Sequence, residues 1–236
     1  LSIMAQWSLA RGKNARGEDL LVFGQYNVNS ARTAGGSNDW SNVLCSRQAA
    51  DVGTWDVVLE ANTAGTNFLR HCHAVIQDPY TLEFWIFYGD GATSGIYVWD
   101  GIRPIPANTP PSGAKVYKGW RGLDRFNTPT ANFNPLQITT VQFTKTEVIA
   151  PVDHGYTTDR GIYSISRDLT KFEKIWDGAT GGLPDGHAMY SSLICPITKT
   201  MLASTLIETS YASPTADYIL WVFAATKSGN YRDWTR

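Results

Sequence analysis

His73–Gly101 reads HAVIQDPYTLEFWIFYGDGATSGIYVWDG. Short runs of β-branched and aromatic residues alternate with Asp, Pro and Gly, which is the pattern of strands separated by tight turns. The stretch predicts a strand at 74–76, a turn over Asp78-Pro79-Tyr80-Thr81, a strand at 82–88, a loop, and a strand at 96–99. No 3.6-residue apolar period competes with this reading here or elsewhere in the chain.

The same order recurs. From Gln137, ITTVQF and a Thr144-Lys145 turn lead into TEVIAPVDHG, a loop, and GIYSISRDLTKFEKIWDG. Gly95-Ile96-Tyr97 and Gly161-Ile162-Tyr163 take the same place in the two copies, and both copies reach a Trp-Asp-Gly, at Trp99–Gly101 and Trp176–Gly178. A third copy starts at His187, where MYSSLICPITKTMLASTLIET is followed by TADYILWVFAATKSGNYRDW. A partial first copy is IMAQWSLARGKNARGEDLLVFGQYN with SNVLCSRQAADVGTWDVVLEA. Thin sheets of this kind cannot bury both faces alone, and stacking them about an axis solves the problem. The expected fold is therefore all-β, a β-propeller with about four blades present in one domain over 1–236, at approximately 1–68, 69–122, 123–183 and 184–236. The last copy lacks the strand that follows the turn aromatic elsewhere, and the chain starts at Leu1 without a methionine. Both features predict a portion of a longer polypeptide, a larger propeller of about six or seven blades.

Composition narrows the function classes. The chain has 236 residues, 43% hydrophobic and only 17% charged, with 9 Trp, 11 Tyr and 9 Phe. A net charge of −1 offers no footprint for nucleic acid or an anionic membrane surface, and no apolar run is long enough for a membrane-spanning helix. Cys45, Cys72 and Cys195 form no CxxC and are odd in number, so they read as buried free thiols.

Two turns resemble the Asp-box of the sialidase superfamily, Ser-x-Asp-x-Gly-x-Thr-Trp. Ser166-Arg167-Asp168-Leu169-Thr170-Lys171-Phe172 keeps the Ser and the Asp and brings an aromatic one place early. Ser46 followed by Asp51-Val52-Gly53-Thr54-Trp55 keeps the residue types with an insertion, and Lys227–Trp234 is a weaker third example. His71-Cys72-His73, Asp78-Pro79-Tyr80, Gly89-Asp90 and Gly95-Ile96-Tyr97 together resemble a blade of sialidase-like proteins of bacteria and their phages. The resemblance implies a propeller whose Asp-boxes are structural turns, with Ser and Asp holding backbone amides and the aromatic packed into the blade.

Several residues are candidates for chemistry. His71 and His73 flank Cys72 and point to one face of an extended strand. They suit a wet channel lining, a glycan contact, or two of the ligands of a metal, for which Asp90, Asp153 and His154 are the nearest complements through the repeat. Asp90 and Asp153 each end a second strand. The resemblance implies a Tyr assisted by a Glu, for which Tyr156, Glu208 and Tyr211 are candidates, and arginines that grip a sugar carboxylate, for which Arg70 and Arg160 are candidates; Arg103-Pro104-Ile105-Pro106 resembles the family's Arg-Ile-Pro segment. The family's arginine triad is not reproduced. Trp120, in the polar Gly119–Gly122 loop, is the leading candidate for stacking on a sugar, ahead of Trp85 and Trp99.

The candidate catalytic set is thus His73, Asp90, Asp153, His154, Tyr156 and Glu208, and the candidate binding set is His71, His73, Arg70, Trp120 and Arg160. No cofactor and no metal are expected. The functional expectation is a glycan-recognising module for adhesion or receptor binding, within a larger extracellular or phage-tail protein. The alternatives are a sialidase-like glycoside hydrolase or polysaccharide lyase, with His and Tyr as base and acid, and a structural part of a virion or cell surface. Expected partners are a polysaccharide or glycan and other virion or cell-surface proteins, with no nucleic acid and no membrane insertion.

Overall fold

The computed structural model describes residues 2–3, 8–27, 42–47, 54–59, 62–63, 66–67, 71–89, 95–105, 115–117, 119–124, 137–153, 160–183, 187–207 and 222–236. The chain divides into two compact units, Leu1–Thr128 and Pro129–Arg236. Among the described residues every regular element is a strand, and no helix is long and apolar enough to cross a membrane.

The first unit begins with β1 (Ser2–Ile3), β2 (Leu9–Lys13), β3 (Asp19–Gly24), β4 (Tyr26–Asn27), β5 (Val43–Ser46) and β6 (Asp56–Leu59). A small hairpin, β7 (Asn62–Thr63) and β8 (Thr66–Asn67), precedes β9 (His71–Gln77), β10 (Phe84–Gly89), β11 (Gly95–Trp99), β12 (Lys115–Tyr117) and β13 (Trp120–Asp124). The second unit holds β14 (Gln142–Phe143), β15 (Glu147–Pro151), β16 (Gly161–Ser166) and β17 (Phe172–Asp177), then β18 (His187–Ile194), β19 (Met201–Ile207) and β20 (Val222–Ala225). Four antiparallel sheets follow one another along the chain: β2-β3-β5-β6, then β9-β10-β11-β13 extended by β12 on one edge and by β4 and β1 on the other, then β14-β15-β16-β17, then β18-β19-β20. Tight turns join β2 to β3, β9 to β10, β12 to β13, β14 to β15, β16 to β17 and β18 to β19, so these pairings are local.

The sheets agree in register as well as in order. On the third strands, Ile96 pairs with Phe87 and Ile162 with Pro151, so the two Gly-Ile-Tyr runs are equivalent. The two Trp-Asp-Gly runs are not, because Trp99 lies on a third strand and Trp176 on a fourth. In the first and third sheets the fourth strand is bulged at the same rung, after Val43 and after Ile162. In the second and fourth sheets the first strand carries the bulge, between Cys72 and Ala74 and between Met189 and Ser191. The residue just before each of these bulges donates its N–H to the carbonyl that follows the second strand of the preceding sheet: Cys72 to Gln25 at 3.2 Å, and Met189 to Val152 at 3.1 Å. A bulge adds local twist, and here it sits where one sheet meets the next.

An aromatic occupies the head of the fourth strand in each sheet. Trp120 pairs with Trp99 and Phe172 with Ile165. Trp55 precedes the Asp56–Cys45 pair. Trp234 precedes Thr235, whose N–H and carbonyl both bond Ala224, at 2.9 and 2.8 Å. The closing strand expected to be missing after Trp234 is therefore begun by Thr235.

Each sheet has two unlike faces. One bears the third-strand residue Leu44, Tyr97, Tyr163 or Phe223 and is termed the aromatic face; the other is the opposite face. In the first unit the opposite face of the first sheet (Leu20, Val22, Val43, Cys45) packs on the aromatic face of the second (Cys72, Phe84, Ile86, Tyr97, Trp99). In the second unit Ile149 and Ile162 of the third sheet meet Met189, Met201, Phe223 and Trp234 of the fourth in the same way. Core residues are buried at both interfaces, and this burial is the main stabilising term of each unit.

An arginine clasps each pair of sheets at the turn end. Arg47 donates to the carbonyls of Gly101 (3.3 Å) and Ile102 (2.9 Å), reaching from the earlier sheet to the later. Arg232 reaches the other way, pairing with both oxygens of Glu147 at 3.1 and 3.0 Å.

The Ser166–Phe172 turn shows why its residues are needed. Ser166 Oγ accepts the Lys171 N–H at 2.8 Å and donates to Asp168 Oδ1 at 2.6 Å. Asp168 Oδ1 also accepts from Thr170 N–H (3.1 Å) and Oγ1 (2.7 Å). Leu169 takes a left-handed φ of 61° and buries its side chain, while Phe172 stacks on Tyr163 with centroids 4.9 Å apart. The hydrogen bonds, that of Ser166 foremost, hold the Asp168 carboxyl down at about 2. Because the folded value lies below the unfolded one of about 3.9, the carboxylate's contribution is complete above that value and lost as pH falls through about 2. Asp168→Asn is accordingly expected to melt below the wild type at pH 7 and to converge with it near pH 2. A gap in melting temperature that persists in strong acid would contradict this role.

Candidate functional site

The Ser166–Phe172 turn and its counterparts lie at one end of the sheets. At the other end first strands start, second strands finish and third strands start, and His71, His73, Asp153 and Arg160 lie there.

In the first unit β9 opens with His71-Cys72-His73, and β4 lies on its edge with Tyr26 paired to His71. The Tyr26 ring stacks on His71 at 4.2 Å and 21°, and on His73 at 5.8 Å and 30°; the two imidazoles are 6.2 Å apart. The packing leaves His71 only 5% and His73 only 4% exposed. His73 is the bulged residue of β9, and its ring lies over Gly89 at the end of β10. A Cβ on Gly89 would come within 2.2 Å of His73 Cε1, so the absence of a side chain there makes the room the imidazole occupies. The result is a compact cluster of three rings in which the half-buried Tyr26 lies over two buried imidazoles.

In the second unit β15 and β16 remain paired one residue further, Val152 N–H donating to Gly161 O at 3.1 Å, while Asp153 N–H donates to Gln137 O, ahead of β14, at 2.8 Å. Continuing that register sets Asp153 across from Arg160. The bond from Met189 to Val152 brings the start of β18, with His187, beside them. Asp153, Arg160 and His187 are all buried.

The structure thus gathers His71 with His73 in one unit and Asp153 with Arg160 in the other. Trp120 heads β13, opposite Trp99 and at the turn end of its sheet. Arg70, Asp90, His154, Tyr156, Glu208 and Tyr211 lie outside the described residues. Tyr26 was not among the candidates; it belongs to a different repeat copy from His71, and nothing in its local sequence signals that β4 turns onto the edge of the following sheet. His187 was seen only as the start of a copy. Among the described residues no group of three His, Cys, Asp or Glu side chains converges to hold a metal ion.

A concavity of about 490 Å³ lies at the turn end of the second unit and is lined by residues that include Glu147, Ser164, Lys171, Glu173, Asn230 and Arg232. Burial on its own would raise the Glu147 carboxyl, but hydrogen bonds from Arg232 and Ser164 outweigh it and hold the group below the usual range. The Arg232 guanidinium lines this groove, held by both carboxylate oxygens of Glu147.

No protein-family model matches the chain, and no curated protein matches it either.

Proposed function

We propose that the chain is a glycan-recognising β-propeller module of about four blades, resembling sialidase-like proteins and acting in adhesion or receptor binding in an extracellular or virion-associated setting. Support for the propeller comes from sheets that repeat order, register, bulges and the aromatic at the head of the fourth strand. The observation that carries the functional reading is the Tyr26–His71–His73 ring cluster at the end of the sheets remote from the structural turns, in which the half-buried Tyr26 is backed by two buried imidazoles. Recognition is favoured over catalysis because the chain does not reproduce the arginine triad with which sialidase-like hydrolases grip a sugar carboxylate.

The test is a glycan array probed with the wild type and with Tyr26→Ala and His73→Gln. Binding is expected for the wild type with no reducing sugar, free sialic acid or unsaturated uronate released, and at least about tenfold weaker for both variants while circular dichroism stays unchanged. Released product would instead support the hydrolase or lyase alternative. Binding that is untouched by both substitutions would remove the ring stack from the site.

A further inference from the structure

The two faces of a sheet differ, and the chain covers them unequally. At equivalent places on third strands, Val43 of the first sheet is 0% exposed and Val222 of the fourth is 46% exposed. The opposite face of the first sheet is closed by the second sheet, whereas that of the fourth sheet carries the exposed Leu193 and Val222, paired to the half-buried Leu202 and Ser204. The aromatic faces show the converse. Tyr97 and Phe223 are buried, but on the first sheet the cross-strand row Leu9–Phe23–Leu44–Val57 ends in Leu9 at 42% and Val57 at 47% exposure. Trp55 lies on the same face, its ring edge-on to Phe23 at 6.3 Å. The first sheet therefore presents an uncovered aromatic face and the fourth an uncovered opposite face. Five of the eight exposed large hydrophobics among the described residues lie on these two faces: Leu9, Trp55, Val57, Leu193 and Val222. Contiguous apolar rows of this kind mark contact surfaces rather than ordinary exterior.

We propose that a second copy of this chain covers the first sheet, seating the opposite face of its fourth sheet on the Leu9–Phe23–Leu44–Val57 row. This contact continues an interface the chain already forms twice, between its first and second sheets and between its third and fourth, always with an aromatic face on an opposite face. The chemistry matches row for row. Leu193, Leu202 and Ala224 supply an apolar strip, and the Ser191–Ser204 hydroxyl pair, 2.6 Å apart, supplies a polar strip for the Arg11 side of the first sheet. Two unlike faces make a heterologous contact, which either closes into a ring or propagates.

Sedimentation velocity across a wide concentration range tests the contact. The wild type is expected to self-associate reversibly, and Leu9→Lys/Val57→Lys and Leu193→Lys/Val222→Lys are each expected to weaken association at least about tenfold, because a Lys at the contact must be desolvated. The changed residues are exposed, so thermal melts should remain close to the wild type. An equimolar mixture of the two double variants should restore a heterodimer, since each retains the face the other lacks. A wild type that stays monomeric throughout would overturn the proposal, as would association that survives both pairs of changes or a mixture that fails to restore it; a monomer would leave the face to some other partner.

Discussion

Trp99→Ala is expected to lower the stability of the first unit by about 3–5 kcal/mol, the range for removing a large buried aromatic. Trp99 is fully buried on the aromatic face of the second sheet. Its ring lies 5.8 Å from that of Phe84, and its indole N–H donates to the Arg103 carbonyl. Deletion removes the wedge between two sheets and strands a carbonyl at the root of the loop that follows β11. A fall in melting temperature on the order of 10 °C should follow. Trp99→Phe separates the two contributions: it retains most of the apolar volume and should cost far less, with the lost hydrogen bond accounting for about 1 kcal/mol. Urea titration followed by circular dichroism reads both. A loss below about 1 kcal/mol in Trp99→Ala would show that the sheets do not depend on this side chain for their contact.

The second large effect is one of overfilling. Gly24 ends β3 against β9, and a Cβ there would lie 2.2 Å from Cys72 Sγ and 2.8 Å from Cys72 Cβ. Gly24→Ala is therefore expected to cost about 1–3 kcal/mol, by pushing β9 away from the first sheet and stretching the bond from Cys72 to Gln25. Cys72→Ala removes the nearer of the two clashing atoms. The double variant should regain about 1 kcal/mol relative to Gly24→Ala, a coupling that a double-mutant cycle measures. Strict additivity of the two changes would mean the strain is relieved elsewhere.

Much of the fold was legible because its rules are local. Strands expected at 82–88 and 96–99 are found at Phe84–Gly89 and Gly95–Trp99, since consecutive β-branched and aromatic residues buried on both faces admit little else. Leu82 is the exception: it leaves the strand for a left-handed turn at φ 62°, a conformation that a leucine does not advertise. Leu169 conceals the Ser166–Phe172 turn from a glycine-based pattern for the same reason. The Trp-Asp-Gly likeness misled because identical triplets fell on different strands, and register, which tertiary contacts set, decides equivalence. The site was less legible still. His71 and His73 stood out through their spacing, but the stack that defines their surroundings comes from Tyr26, on an edge strand supplied by another repeat copy. Which sheet faces stay open is likewise a property of packing between repeats and leaves no mark in any one of them.

The three thiols have differing chemical accessibility. Cys45 and Cys72 are sealed at the junction of the first two sheets, where burial pushes Cys45 up to about 11 and Cys72 higher still. Cys195, at the mouth of the β18–β19 turn, is lowered by hydrogen bonding to Thr198. An alkylating reagent at neutral pH thus meets one ready sulfur on the second unit and two shut away in the first. Slow covalent trapping at the shut pair would count the moments when those sheets part, giving the protein a built-in clock for its own opening.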